Sequence, residues 1–225
     1  MNAVSNETAA PPSALKRLLY RPPYIGLLAF VIVFVVQALG HTVMILMEDI
    51  FGEKYVFQSA FAMGLFGAVL LVIGMRKSNE VSATWLGFWA GTFLWTGWIE
   101  FSFVWSAHTL GVPDLMDARV PGEIATKAEY LVMMSSVGVM MSTLAYFLLN
   151  KETKCNMFLW IQRHGHLKTG KPNPAHQRNF AAITSLETIY VLWFCYLMLL
   201  FIYDENILGD HHPVTYVIFF LMVIW

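Results

Sequence analysis

Apolar residues fall into six runs, near 24–47, 57–75, 83–107, 130–149, 185–203 and 214–225, and nearly all the charge lies between them. A helix needs about 20 mostly apolar residues to cross a bilayer. Helices are favoured in lipid because they satisfy every backbone N–H and C=O internally. With 57% hydrophobic and 13% charged residues in 225, no stretch is left for a separate soluble domain. The runs predict an all-α integral membrane protein, a helical bundle of about six transmembrane spans forming one domain over residues 1–225.

The last run is the exception. It has 12 residues before Trp225. At about 1.5 Å per residue that is roughly 18 Å, short of a ~30 Å hydrocarbon core. The sequence therefore predicts a final span that is incomplete, tilted or half-inserted, or a chain that is a fragment. No cleavable signal peptide is expected. The segment before Pro22-Pro23 is largely polar, and the first apolar run is too long for a signal core and lacks a small-residue cleavage site.

Charge sets the expected orientation. With the N-terminus inside, segments 1–22, 76–82 and 150–184 hold Lys16, Arg17, Arg21, Arg76, Lys77, Lys151, Lys154, Arg163, Lys168, Lys171 and Arg178. The outer segments 48–56, 108–129 and 204–213 hold only Lys54, Arg119 and Lys127. Cytoplasmic loops carry such an excess. The expectation is an integral protein of a bacterial inner membrane with a cytoplasmic N-terminus and a basic cytoplasmic loop over 150–184. Acidic residues, among them Glu48, Asp49, Glu123, Glu129, Asp204 and Asp210, run the other way.

Ionisable side chains in or at a bilayer are costly and mark functional sites. Span one carries Gln37, His41 and Glu48 on one helical stripe, and span three carries Thr92, Thr96 and Glu100 at steps of four, then His108. At 1.5 Å per residue, His41, Glu100 and Cys195 each lie roughly 10–13 Å beneath the outer interface. The expected site has two layers. A deep layer holds His41, Glu100 and Cys195 or Tyr196. A rim layer holds Glu48, Asp49, His108, Asp204, His211 and His212.

Imidazole and carboxylate together suit a transition metal such as iron, copper or zinc. The expected metal set is His41, Glu48, Glu100, His108, Asp204, His211 and His212. The leading function on this pattern is a metal-dependent membrane oxidoreductase or oxygenase, acting on a small apolar substrate or a quinol that arrives through the bilayer. Two other readings use the same residues. One is a proton or metal-ion transporter or channel, with the outer acids as the way in and Glu187 near the inner face as the way out. The other is a non-catalytic subunit of a larger membrane complex, as a homo- or hetero-oligomer, in which His41 and Glu100 pair structurally. His211-His212 also reads as a solvated polar turn before Pro213, and Pro213 is suited to a first helical turn.

Other chemistry is thinly represented. There is no HExxH, CxxC, GxSxG, Walker or dinucleotide motif. Two cysteines cannot make a four-cysteine site. The aromatics of span three and the Met133, Met134, Met140 and Met141 cluster read as packing and lipid-facing surface, with Trp85 and Trp105 at the interfacial belts. Gly64, Gly67 and Ala68 suit close helix packing, and Ser135, Ser136, Ser142 and Thr143 suit hydrogen bonds between helices. Within 150–184, Met157-Phe158-Leu159-Trp160-Ile161 suits the membrane interface. The basic residues there follow topology, so no nucleic-acid partner is expected.

Overall fold

A computed structural model describes residues 21, 24–116, 122, 124–153, 155–175, 177–204, 208–209 and 212–224, with the backbone alone at 25, 26, 29, 30, 33, 34, 37, 38, 41, 53, 156, 203 and 221–224. The described chain is mostly helical. It divides into two units, Met1–Ile45 and Leu46–Trp225. Helices α1 (Tyr24–Met75) and α2 (Glu80–Leu94) are followed by a π-helical turn, Trp95–Glu100, and α3 (Phe101–Leu110). Strands β1 (Leu115–Met116) and β2 (Ile124–Thr126) pair antiparallel. Then come α4 (Ala128–Met134), α5 (Val137–Leu149), α6 (Asn156–His164), α7 (Phe180–Tyr203) and α8 (Pro213–Ile224).

Two helices, Lys54–Met75 and Phe180–Ile202, are long and apolar enough to cross a membrane. The pair α4 and α5, bent by 42°, makes a third if taken as one span. These stretches contain or overlap the expected runs 57–75, 185–203 and 130–149. The run 83–107 lies within consecutive helical pieces from Glu80 to Leu110, but the π turn divides them. Helix α8 has 12 residues and opens on Pro213, matching the short final run and its first-turn proline. The two-stranded ladder adds a small β element that the all-α expectation lacks.

The sequence separates 24–47 from 57–75 by an outer segment. In the structure, helix continues through most of that segment and breaks at Gly52, whose φ of 59° and ψ of 178° no helix accommodates. A left-handed φ is open to glycine because it has no Cβ. The acids Glu48 and Asp49 therefore sit on helix, one turn before the break.

Helix α2 packs along α7. Small residues set the distance between them. A Cβ at Gly91 would lie 2.7 Å from the carbonyl oxygen of Ser185 and 2.9 Å from Cβ of Thr188. Helix α1 meets the π turn as closely, since a Cβ on Gly97 would lie 2.7 Å from the Ala60 carbonyl oxygen. The small residues of α1 do pack against the next helical stretch: Gly64 lies beneath the Trp98 side chain, and a Cβ at Gly67 would meet that of Phe93 at 2.9 Å. The buried core gathers Trp95, Met133, Met140, Leu192 and Leu197 from the π turn, α4, α5 and α7.

The serines of span four divide. Ser135, Ser142 and Thr143 donate to carbonyls three or four residues back in their own helix. Only Ser136 makes a contact between helices, accepting from Trp193 Nε1 at 2.9 Å. Ser135 and Ser136 occupy the break between α4 and α5, and hydroxyls that bond back to the preceding turn favour such a bend.

One end of the unit is tied by polar side chains. Asn179 caps α7 by accepting from Ala182 N, and its Nδ2 donates to the Met75 carbonyl at 3.1 Å. Gln162, buried on α6, donates from Nε2 to the Leu148 and Asn150 carbonyls at the end of α5. At the other end, Asp114 accepts from the Ala128 backbone N–H at 2.7 Å, joining the end of the α3 loop to the start of α4.

Candidate functional site

Glu100 is the deepest carboxylate among the described residues, at 3% exposure. It closes the π turn. Within such a turn, bonding runs i to i+5, and single π turns inside α-helices occur often at functional sites. The extra residue matters for aim. On a regular α-helix, the face that carries Gly87, Gly91 and Trp95 would continue through Ile99. The π turn instead places Glu100 on the side that α7 covers.

What meets Glu100 is Tyr196. Its hydroxyl donates to Glu100 Oε1 at 3.1 Å. The Tyr196 ring is stacked on Trp95, with centroids 5.6 Å apart and planes 24° apart, and on Tyr130 at 6.5 Å and 23°. Three aromatic rings from the π turn, α4 and α7 thus form one stack beside the carboxylate. The Trp95 indole is 1% exposed, and its buried Nε1–H lies close enough to act on the Glu100 carboxylate without meeting hydrogen-bond geometry. The carboxylates of Glu129 and Glu48 lie within electrostatic reach of Glu100. Glu129 is itself 3.9 Å from the Lys127 ammonium.

This arrangement has identifiable chemistry. A carboxylate beside a phenol, screened from water by aromatic rings, can hold a proton or accept a cation. A charge in such a place is costly unless it is paired or hydrogen-bonded. The acids around it add negative charge rather than relieve it, so a cation gains there.

The remaining expected residues are placed as follows. Of the two deep-layer partners on span five, Tyr196 is the one that reaches Glu100. Cys195 is a half-buried free thiol, turned about 100° away around the helix. Thr92 and Thr96 are buried, as is Glu100, although the π turn interrupts the α period that the expected stripe assumes, and Thr92 Oγ1 donates to the Phe88 carbonyl. Glu48 and Asp49 are exposed, and so is His108. Asp204 is half-buried at the end of α7. His212 is exposed and accepts at Nδ1 from Val214 N at 3.2 Å, a local turn contact. The His41 side chain, Asp210 and His211 lie outside the described residues. Among the described residues, no group of three or more His, Cys, Asp or Glu side chains is disposed to hold a metal ion.

Sequence reasoning missed Trp95, Tyr130 and Glu129 as parts of this centre. Trp95 reads as one more aromatic in a span full of them. Tyr130 and Glu129 sit at the start of span four, where an acid and a tyrosine are ordinary interfacial residues. Compared with models of known protein families, with characterised proteins and with solved structures, the chain matches none.

Proposed function

We propose that this chain is an integral membrane protein whose working group is Glu100, and that the Glu100–Tyr196 pair binds and releases a proton at the outer end of a bundle of about six spans, with the N-terminus inside. The single observation behind this reading is the 3.1 Å hydrogen bond from a tyrosine on α7 to a carboxylate buried on a π turn. Its acidic neighbours Glu129 and Glu48 give a route for cations to collect on the same side. Below the pair, the α2–α7 seam is packed through Gly87 and Gly91, and the hydroxyls of Thr92 and Thr188 are committed to their own helices. A continuous water path to Glu187 along that seam therefore has no support. The reading is of a proton-binding centre open to one side, not of an open channel.

The test is infrared spectroscopy of the reconstituted protein across a pH titration. A carboxyl band should appear that Glu100→Gln abolishes and Tyr196→Phe moves in frequency. A spectrum in which Glu100→Gln removes no titrating band defeats the reading.

A metal-dependent oxidoreductase is the second reading. What favours it is a buried carboxylate, Glu100, next to a stack of oxidisable rings, with the charges of Glu129 and Glu48 within electrostatic reach. His41, His108, Asp204, His211 and His212 would complete the ligand set, and a small apolar substrate or quinol would reach it through lipid. A metal would supply Lewis-acid or redox chemistry there. Elemental analysis of the purified chain separates the two. Stoichiometric iron, copper or zinc that falls sharply in His41→Ala and His108→Ala, and not in His164→Ala, favours the metal. Metal-free protein that keeps the Glu100 infrared band favours the proton site.

A further inference from the structure

Helix α6 and the loop after it leave a surface that the proton site does not use. The helix is amphipathic. Phe158, Leu159, Ile161 and Gln162 face the protein, with Gln162 bonded to the end of α5. Met157 and Trp160 stand out at 50% and 55% exposure, on the same stripe as His164. The Trp160 ring lies against the His164 ring at 4.3 Å, and His164 Nδ1 is within 2.9 Å of the Trp160 carbonyl oxygen, so the exposed rings are held in place.

Cations surround this apolar edge. Arg163, Lys168, Lys171 and Lys151 are exposed on or beside α6, and Arg76 and Lys77 are exposed where α1 ends. The Asn179–Met75 bond ties the return of the loop to that same end. Few acids oppose them. Glu80 lies in the first turn of α2, and Glu152 Oε1 is taken by the Asn173 backbone N–H at 2.8 Å. An exposed tryptophan and methionine bordered by lysine and arginine, on a short helix hung from the end of an apolar helix, match a lipid interface. The charge sign selects the lipid, because each cation near an anionic leaflet favours binding by about 1 kcal/mol, on the order of fivefold.

We infer that α6 lies in the membrane surface with Met157 and Trp160 at the headgroup–acyl boundary, and that Arg163, Lys168 and Lys171 bind anionic phospholipid headgroups. This rests on the membrane-spanning reading, and the experiment keeps the two apart. Spin labels are placed singly at Met157, Val191 and Gln177 in a Cys155→Ser, Cys195→Ser chain, reconstituted in vesicles of phosphatidylcholine with phosphatidylglycerol. Val191 is exposed on α7 and reports the span itself. Collisions with oxygen should dominate at Val191 and Met157, and collisions with a water-soluble nickel chelate at Gln177. A nickel-accessible Val191 overturns the membrane reading and this inference with it. An oxygen-accessible Val191 with Met157 as nickel-accessible as Gln177 overturns the inference alone. Native mass spectrometry of the detergent-extracted full chain then reads the lipid. Phosphatidylglycerol should be retained over phosphatidylcholine, and the Arg163→Gln, Lys168→Gln, Lys171→Gln variant should lose that preference by roughly tenfold or more. Equal retention of the two lipids by wild type, or displacement of the anionic lipid by inorganic phosphate alone, also overturns it.

Discussion

At the scale of single residues, the centre depends on one hydroxyl. Tyr196→Phe keeps the ring that stacks on Trp95 and Tyr130 and removes only the donor to Glu100. Leaving a buried acceptor without its partner costs about 1–3 kcal/mol. Thermal unfolding in detergent should therefore show Tyr196→Phe less stable than wild type, and Glu100→Gln, whose amide oxygen can still accept from the phenol, closer to wild type. Equal stability of Tyr196→Phe and wild type would mean that the hydrogen bond holds nothing. Gln162 carries a comparable load on α6, where it bonds two carbonyls from outside its own helix. Gln162→Ala should raise amide exchange across Asn156–His164 while leaving that of α7 unchanged, as measured by hydrogen–deuterium exchange.

At the scale of elements, close approach of backbones decides where the side chains point. The π turn can aim Glu100 at α7 only while Gly97 lets it lie against α1. Gly97→Ala would drive a methyl to 2.7 Å from the Ala60 carbonyl oxygen, backbone that cannot step aside. Overpacking of this kind costs about 1–3 kcal/mol. Gly138→Ala on α5 is the matched control, since nothing lies within 4 Å of its added Cβ, and alanine favours helix by up to about 1 kcal/mol over glycine. The expected result is a lowered unfolding temperature for Gly97→Ala and an unchanged or raised one for Gly138→Ala. The reverse order would show that the α1 contact does not set the turn. The helix cap at Asn179 is a further element-scale lever. Asn179→Ala loses both the cap and the bond to Met75, for a cost of about 1 kcal/mol from the cap alone.

At the scale of the whole molecule, the question is which end faces which side. The proposed orientation puts β1 and β2 outside and α6 inside. A cysteine at exposed Leu115 should react with a membrane-impermeant maleimide added to intact cells, whereas the native thiol of Cys155 should react only after permeabilisation. Labelling of Cys155 from outside would reverse the orientation. It would also move the cation-rich end away from the leaflet assigned to it.

What the sequence determined alone is helix and level along the helix axis. Apolar runs separated by charge are a one-dimensional signal. They anticipate the apolar helices Lys54–Met75 and Phe180–Ile202 and the bent α4–α5 pair, because burying a long apolar run depends on composition and length alone. Counting residues from the ends of the runs also put His41, Glu100 and Cys195 at one level, since helical rise is constant, and Tyr196 is the residue beside Cys195. Direction around the axis was not legible in the same way. The stripe Thr92, Thr96 and Glu100 assumes an unbroken α period, and nothing in Trp95–Glu100 announces a π turn. The turn forms where Gly97 lies against α1 and Trp95 is packed by α4 and α7, and those contacts come from parts of the chain far apart in sequence. Only the tertiary structure could choose Tyr196 over Cys195 as the partner of Glu100, because that choice depends on the rotation of two helices about their axes, set by side chains on both.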